Sequence, residues 1–117
     1  MAWTVIYHDA FLPELDALSE AVQDGLLAMV ELLTLGGPML GRPHVDTLTG
    51  SRHANMKELR FAADDGVWRV AFAFDPQRRA IVLVAGDKSG VAQLRFYKRL
   101  IAKADARFTE HLEGLKG

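Results

Sequence analysis

The strongest constraint in this sequence is a change of hydrophobic period at its centre. Residues 56–62 and 67–74 alternate between large apolar and smaller or polar side chains, and residues 80–87 are almost continuously apolar. A period of two marks strands, because successive side chains point to opposite faces. The first two runs are separated by Asp64-Asp65-Gly66 and the last two by Asp75-Pro76-Gln77-Arg78. Asp and Gly suit a tight hairpin, and Asp followed by Pro suits a type I turn. Strands joined by such short turns run antiparallel, since a parallel pair needs a long crossover. A three-stranded meander is therefore expected.

The flanks read differently. Residues 3–8 are β-branched and aromatic and predict a first strand. From residue 11 the spacing becomes helical, with Phe11, Leu15, Leu18, Val22, Leu26, Met29 and Leu33 recurring at three and four. Pro13 suits a first helical turn, Ser19-Glu20 starts a second helix, and Gly36-Gly37-Pro38 stops it. Residues 39–55 read as irregular, with loop chemistry at Gly41-Arg42-Pro43 and Thr49-Gly50-Ser51. After Gly86-Asp87-Lys88-Ser89-Gly90, a last helix carries Tyr97, Ile101, Ala104, Phe108, His111 and Leu115 in phase.

The expected order is β-α-α-β-β-β-α, an α+β fold with its helices on one face of a small antiparallel sheet. With 117 residues, one domain spanning 1–117 is expected. The absence of cysteine excludes disulfides and thiolate metal sites. The N-terminus has no basic stretch before an apolar core, and the apolar run Leu26–Leu35 is broken by Glu31 and Thr34. Neither a targeting segment nor a membrane span is expected, so the compartment is read as cytoplasmic.

A net charge of −1 conceals a strong asymmetry. Residues 1–41 contain no Lys or Arg and carry −6, whereas residues 42–103 carry +6. Phosphate recognition follows local potential rather than the total. A solvated acidic helix pair beside an ordinary mixed surface is the plainer alternative.

Alternation sharpens the point. Trp68, Val70, Phe72 and Phe74 fall on one strand face, with Arg69, Ala71 and Ala73 on the other. Leu59 and Phe61 oppose Glu58 and Arg60, and Val82, Val84, Gly86 and Lys88 read as sharing a face. If the bulky set faces the helices, Arg60 and Arg69 share an open face made concave by small residues, and Lys88 is a candidate to join them. Cations converging on a groove call for an anion, and a phosphate backbone is the obvious one. The alternative is that Glu58 pairs with Arg60 or Arg69 as a surface salt bridge of little consequence.

Other motifs carry less. Gly86-Asp87-Lys88-Ser89 lacks the glycine that a phosphate loop needs before its lysine. His8, His44, His53 and His111 show no metal-ligand spacing, so no metal site is expected. His111 reads as a packed histidine. His53, in a polar loop before Lys57, is a candidate acid or base as well as a simple loop residue.

Leu40-Gly41-Arg42-Pro43, Asn55-Met56-Lys57-Glu58-Leu59-Arg60, Trp68-Arg69-Val70, Gly86-Asp87-Lys88 and Tyr97 together resemble the HigB-type branch of the RelE/ParE toxin superfamily. The resemblance covers nearly the whole chain. It implies a RelE-like fold, a small antiparallel sheet with two helices on one side and a terminal helix. It also implies a toxin of a type II toxin–antitoxin system, a ribosome-dependent endoribonuclease that cuts mRNA and inhibits translation without a metal or other cofactor. In that chemistry the RNA 2′-OH attacks the adjacent phosphate. Carried over by position, Lys57, Arg60, Arg69, Lys88 and Tyr97 are the expected catalytic residues, with His53 a weaker addition. Arg42, Arg52, Arg60, Arg69 and Lys88 are the expected phosphate contacts. Tyr97 also falls in the apolar phase of its helix, so core packing is an alternative. The implied partners are a helix-turn-helix antitoxin of the HigA kind, the ribosome and mRNA. A ParE-like inhibitor of DNA gyrase, or a degenerate binding module, would share the fold.

Overall fold

The computed structural model describes residues 2–116. The chain forms β1 (Thr4–Tyr7), α1 (Phe11–Ala17), α2 (Glu20–Gly36), a single 3-10 turn (Gly37–Met39), β2 (Val45–Thr47), β3 (Lys57–Ala63), β4 (Gly66–Phe74), β5 (Arg79–Asp87) and α3 (Gln93–Lys116). Ser19 caps α2 by accepting a hydrogen bond from the Val22 amide, as its position before the apolar stripe predicts. At the other end, Gly37 has φ +52°, and a Cβ there would lie 2.2 Å from the Trp3 indole. Only glycine meets both conditions.

The five strands are ordered β1-β5-β4-β3-β2. The meander β3-β4-β5 forms as expected. Asp64 and Asp65 take positive φ values of 52° and 61°, closing a two-residue hairpin in which Ala63 pairs with Gly66.

Three expectations need correction. First, the sheet is mixed rather than antiparallel, because β1 runs parallel to β5 after the long crossover through α1 and α2. Second, residues 45–47, read as irregular, form the edge strand β2, antiparallel to β3. Three residues are too few for a periodic signal, so the true order is β-α-α-β-β-β-β-α. Third, the helices do not share one face. Phe11 of α1 and Leu26 and Leu33 of α2 pack with Leu59, Val70, Phe72 and Val82 on one side of the sheet. Phe96, Leu100, Ala104 and Phe108 of α3 pack with Met56, Ala71, Ala73 and Ile81 on the other.

The face assignment on β5 also changes. The pairing shifts between Ala71 and Phe72, which oppose Val84 and Val82. This bulge at Leu83 puts Val84 on the α3 side and leaves Val82 against α1 and α2. At Gly86, opposite Arg69, an added Cβ would lie 2.9 Å from the Phe96 ring. The alanines and this glycine let α3 settle close to the sheet.

One buried carboxylate ties the β4–β5 turn to α3. Asp75 Oδ1 accepts hydrogen bonds from the Gln77 and Arg79 amides, and Oδ2 accepts from the Arg79 guanidinium and from His111 Nε2 at 2.8 Å. Burial alone would raise its pKa, but these donors outweigh burial and hold it below the ordinary value. Asp75→Asn is expected to lower stability by about 2 kcal/mol at neutral pH. A carboxyl with a depressed folded pKa contributes in full above the ordinary carboxylate range and loses that contribution as pH falls. In urea melts, the gap between wild type and Asp75→Asn should therefore narrow as pH is lowered through the acid range.

Candidate functional site

Where α3 begins, the sheet is no longer covered. An open cleft of about 640 Å³ lies between the N-terminal turn of α3, the β2 edge and the ends of β3 and β5. Arg42, Asp46, Glu58, Arg60, Lys88 and Tyr97 all line it. A shallower hollow of about 390 Å³ adjoins it over the distal β3–β4 hairpin, lined by Arg42, Pro43, Arg60, Val67 and Arg69. Arg42 and Arg60 border both depressions and form the ridge between them.

Strand register assembles the charged set. Arg60 pairs with Arg69, and Arg69 with Gly86, so both arginines share the α3 face as alternation predicts. Glu58 lies two residues before Arg60 on the same face. It is 4% exposed, and its Oε1 accepts a hydrogen bond from the Tyr97 hydroxyl at 2.9 Å. Arg69 is 6% exposed, with Nε 3.9 Å from the same Glu58 oxygen. One guanidinium nitrogen donates to the Trp68 carbonyl, but the buried Nε has no hydrogen-bond partner among the described residues. Lys88 Nζ stands 6.0 Å from the centre of the Tyr97 ring.

The Glu58–Arg69 contact is thus a buried pair, not the surface salt bridge that alternation also allowed. Burial pushes the Glu58 carboxyl above its ordinary value, against the opposing pull of the Tyr97 hydroxyl and of Arg69 and Arg60. Burial, and then the bond to Glu58, raise the Tyr97 phenol. Tyr97 packs against the α3-side core, as its helical phase allowed, while its hydroxyl reaches Glu58 at the cleft.

Other expected site residues lie elsewhere. Lys57 is on the opposite face of β3, paired with Phe72, and its ammonium reaches Thr47. His53 bonds Thr109 through Nε2 and packs edge-on against Phe108, in the C-terminal half of α3. Arg52 is exposed in the same loop, where its amide donates to Asp105. None of these three lines the cleft. Asp46 and Glu58 were missed as site residues. Parity already put Glu58 beside Arg60, but no pattern marked Asp46 on its short strand.

The chain is similar to known proteins in sequence and in fold. The model of a family described as phage derived protein Gp49-like (DUF891) matches residues 13–109. Two Mycobacterium tuberculosis (strain ATCC 25618 / H37Rv) proteins whose names call them toxins are similar in sequence. HigB2 is 46% identical over 99 residues, covering 84% of this chain and 49% of that protein. HigB3 is 44% identical over 91 residues, covering 78% of this chain and 77% of that protein. The chain thus spans about half the length of HigB2 and about three quarters of HigB3. A free-state structure of E. coli toxin RelE, a double arginine-to-alanine variant, has a TM-score of 0.61 at 14% identity, over 88% of this chain and 97% of that one. That likeness is one of fold.

Tyr97→Phe removes the hydroxyl that donates to Glu58. The expected result is a further rise of the Glu58 pKa, read by carbon NMR of its carboxyl during a pH titration, with a stability loss of about 1 kcal/mol. An unchanged Glu58 titration would show that the bond is not formed in solution.

Proposed function

Since the chain belongs to the Gp49-like family and to the HigB-type branch of the RelE toxin superfamily, we propose that it is the toxin of a type II toxin–antitoxin pair and inhibits translation by cutting mRNA. On this reading it acts on mRNA at the ribosome, in the cytoplasm, and is neutralised by a helix-turn-helix antitoxin of the HigA kind.

The observation that carries the reading is the Arg69 guanidinium. Its buried Nε makes no hydrogen bond among the described residues, and Glu58, the anion beside it, stands 3.9 Å away, so the guanidinium keeps donor capacity that a phosphate can take up. It sits beside Arg60 at the edge of an open depression, where a phosphate can approach.

The residues supply what metal-independent cleavage needs. The RNA 2′-oxygen forms a bond to the adjacent phosphorus while the bond from phosphorus to O5′ breaks. The products are a 2′,3′-cyclic phosphate and a 5′-hydroxyl. One group must take the 2′ proton, cations must bear the developing charge, and one group must protonate O5′. Glu58, buried and raised in pKa, takes the role of base, with Tyr97 positioning it. Arg60 and Arg69 carry the phosphate charge. Lys88, at the cleft mouth, is the proton donor to O5′. Lys57, Arg52 and His53 are left without a direct part in this scheme.

The test is induced expression with primer extension across abundant mRNAs, comparing wild type with Arg69→Ala and Arg60→Ala. Arg60 is partly exposed, so its variant separates loss of activity from loss of fold. Cuts within translated frames are expected in wild type and lost in both variants, with growth restored. Cuts that persist in both variants overturn the assignment, and growth arrest with broken DNA instead of cut mRNA supports a gyrase poison. For the isolated reaction, Glu58→Gln is expected to slow cleavage by about 10²–10⁴-fold. Because an ionised Glu58 is the active form, the wild-type rate should rise with pH through a value above the ordinary glutamate range and then level off.

A further inference from the structure

Asp46 places a negative charge where an RNA ligand would bring its own. Its Oδ2 accepts a hydrogen bond from Arg42 at 2.6 Å and another from Arg60 at 3.4 Å, while Oδ1 accepts from the Thr47 amide. These are the two arginines of the ridge between cleft and hollow. The Arg42 guanidinium, and then the Thr47 amide, hold the Asp46 carboxyl below its ordinary range, so it is ionised at neutral pH. Its side chain is 31% exposed, so it is open to exchange with solvent anions. It stands on the edge strand directly opposite Glu58.

We propose that Asp46 is an internal counter-ion seated in a phosphate subsite between Arg42 and Arg60, and that a phosphate of bound RNA takes its place. This rests on the RNA-cleaving reading above. A guanidinium fork accepts carboxylate and phosphate in the same geometry, so the resident carboxylate holds both arginines as a phosphate would. It also neutralises them in part. A tethered carboxylate competes at high local concentration, which a single free anion does not match. A phosphate within a strand that is also held at Arg69 and Lys88 enjoys the same advantage and displaces it. Asp46 thereby favours a polyanion over a free phosphate or a mononucleotide. Surface pairs of this kind add little to stability, so Asp46 can be changed without loss of fold.

The experiment compares wild type with Asp46→Asn, Asp46→Glu and Asp64→Asn. Asp64 lies at the exposed β3–β4 hairpin tip with φ 52°, a conformation that Asn accepts, and its variant changes net charge equally. One readout is fluorescence anisotropy with a short 2′-O-methyl oligoribonucleotide, which lacks the attacking hydroxyl. The other is NMR of the arginine side chains during titration with inorganic phosphate. Asp46→Asn is expected to bind the oligonucleotide about tenfold tighter than wild type. In it, inorganic phosphate should shift Arg42 and Arg60 at concentrations that leave wild type unchanged. Asp46→Glu and Asp64→Asn should behave like wild type. The proposal is overturned if Asp46→Asn binds no tighter than Asp64→Asn, or if phosphate leaves both arginines unmoved. If no protein binds the oligonucleotide but phosphate moves both arginines in Asp46→Asn alone, the subsite stands and the RNA reading falls.

Discussion

The structure depends on how closely α3 can approach the sheet. Ala71 and Ala73 on β4 and Gly86 on β5 present almost no side chain to it, and the Phe96 ring fills the space over Gly86. Close packing of this kind leaves no room for a larger residue. The same fit explains why the helix begins where it does. Past Gly86 and Arg69, which pair across β5 and β4, the sheet face turns from small apolar residues to Arg60 and Lys88, whose charges no apolar helix could cover. The uncovered end becomes the cleft. Core and site are thus two lengths of one sheet face, divided by a change in side-chain size and charge.

Charge is sorted across the sheet in the same way. Apart from Glu14, which pairs with Arg107 of α3, the acidic residues of the first third of the chain lie on or beside α1 and α2, behind the face that carries the cleft. The cations of the central segment that line the cleft lie in front. A polyanion approaching the cleft therefore meets the basic side first, with the acidic helices beyond the sheet and screened by solvent. The exceptions are Asp46 and Glu58. Glu58 is deeply buried, and a hydrophobic replacement of the Glu58–Arg69 pair would commonly match or exceed its stability. Groups buried at such a cost are intelligible as parts of a site.

Much of this was legible in the sequence, for reasons tied to particular residues. The two-residue period of β3 and β4 put Arg60 and Arg69 on one face, and the turn residues Asp64 and Asp65 set their register. The same parity put Lys57 with Leu59 on the far face, so a stricter use of it would have removed Lys57 from the cleft. Three things had no local signature. The bulge at Leu83 breaks the period without a glycine or proline to mark it. The strand β2 exists only because β3 offers it an edge. The covering of Ala71 and Ala73 by α3 is a tertiary choice, since a small-residue face suits a close helix as well as an open groove. Neither Asp46 on β2 nor the position of Tyr97 over Glu58 could be read without these.

Tyr97 is placed from a distance. It lies in the first turns of α3, and the polar contacts that fasten that helix lie further along. Asp105 accepts from Ser51 and the Arg52 amide, Arg107 pairs with Glu14, Thr109 meets His53, and His111 donates to Asp75. These contacts come from three separate segments and fix the rotation of α3 about its own axis. A helix advances about 1.5 Å and 100° per residue, so a rotation set at one end is carried to the other. His53 and Arg52, expected in the site, act on this reading through the helix instead. Their loop helps to hold α3 at the angle that keeps the Tyr97 hydroxyl on Glu58.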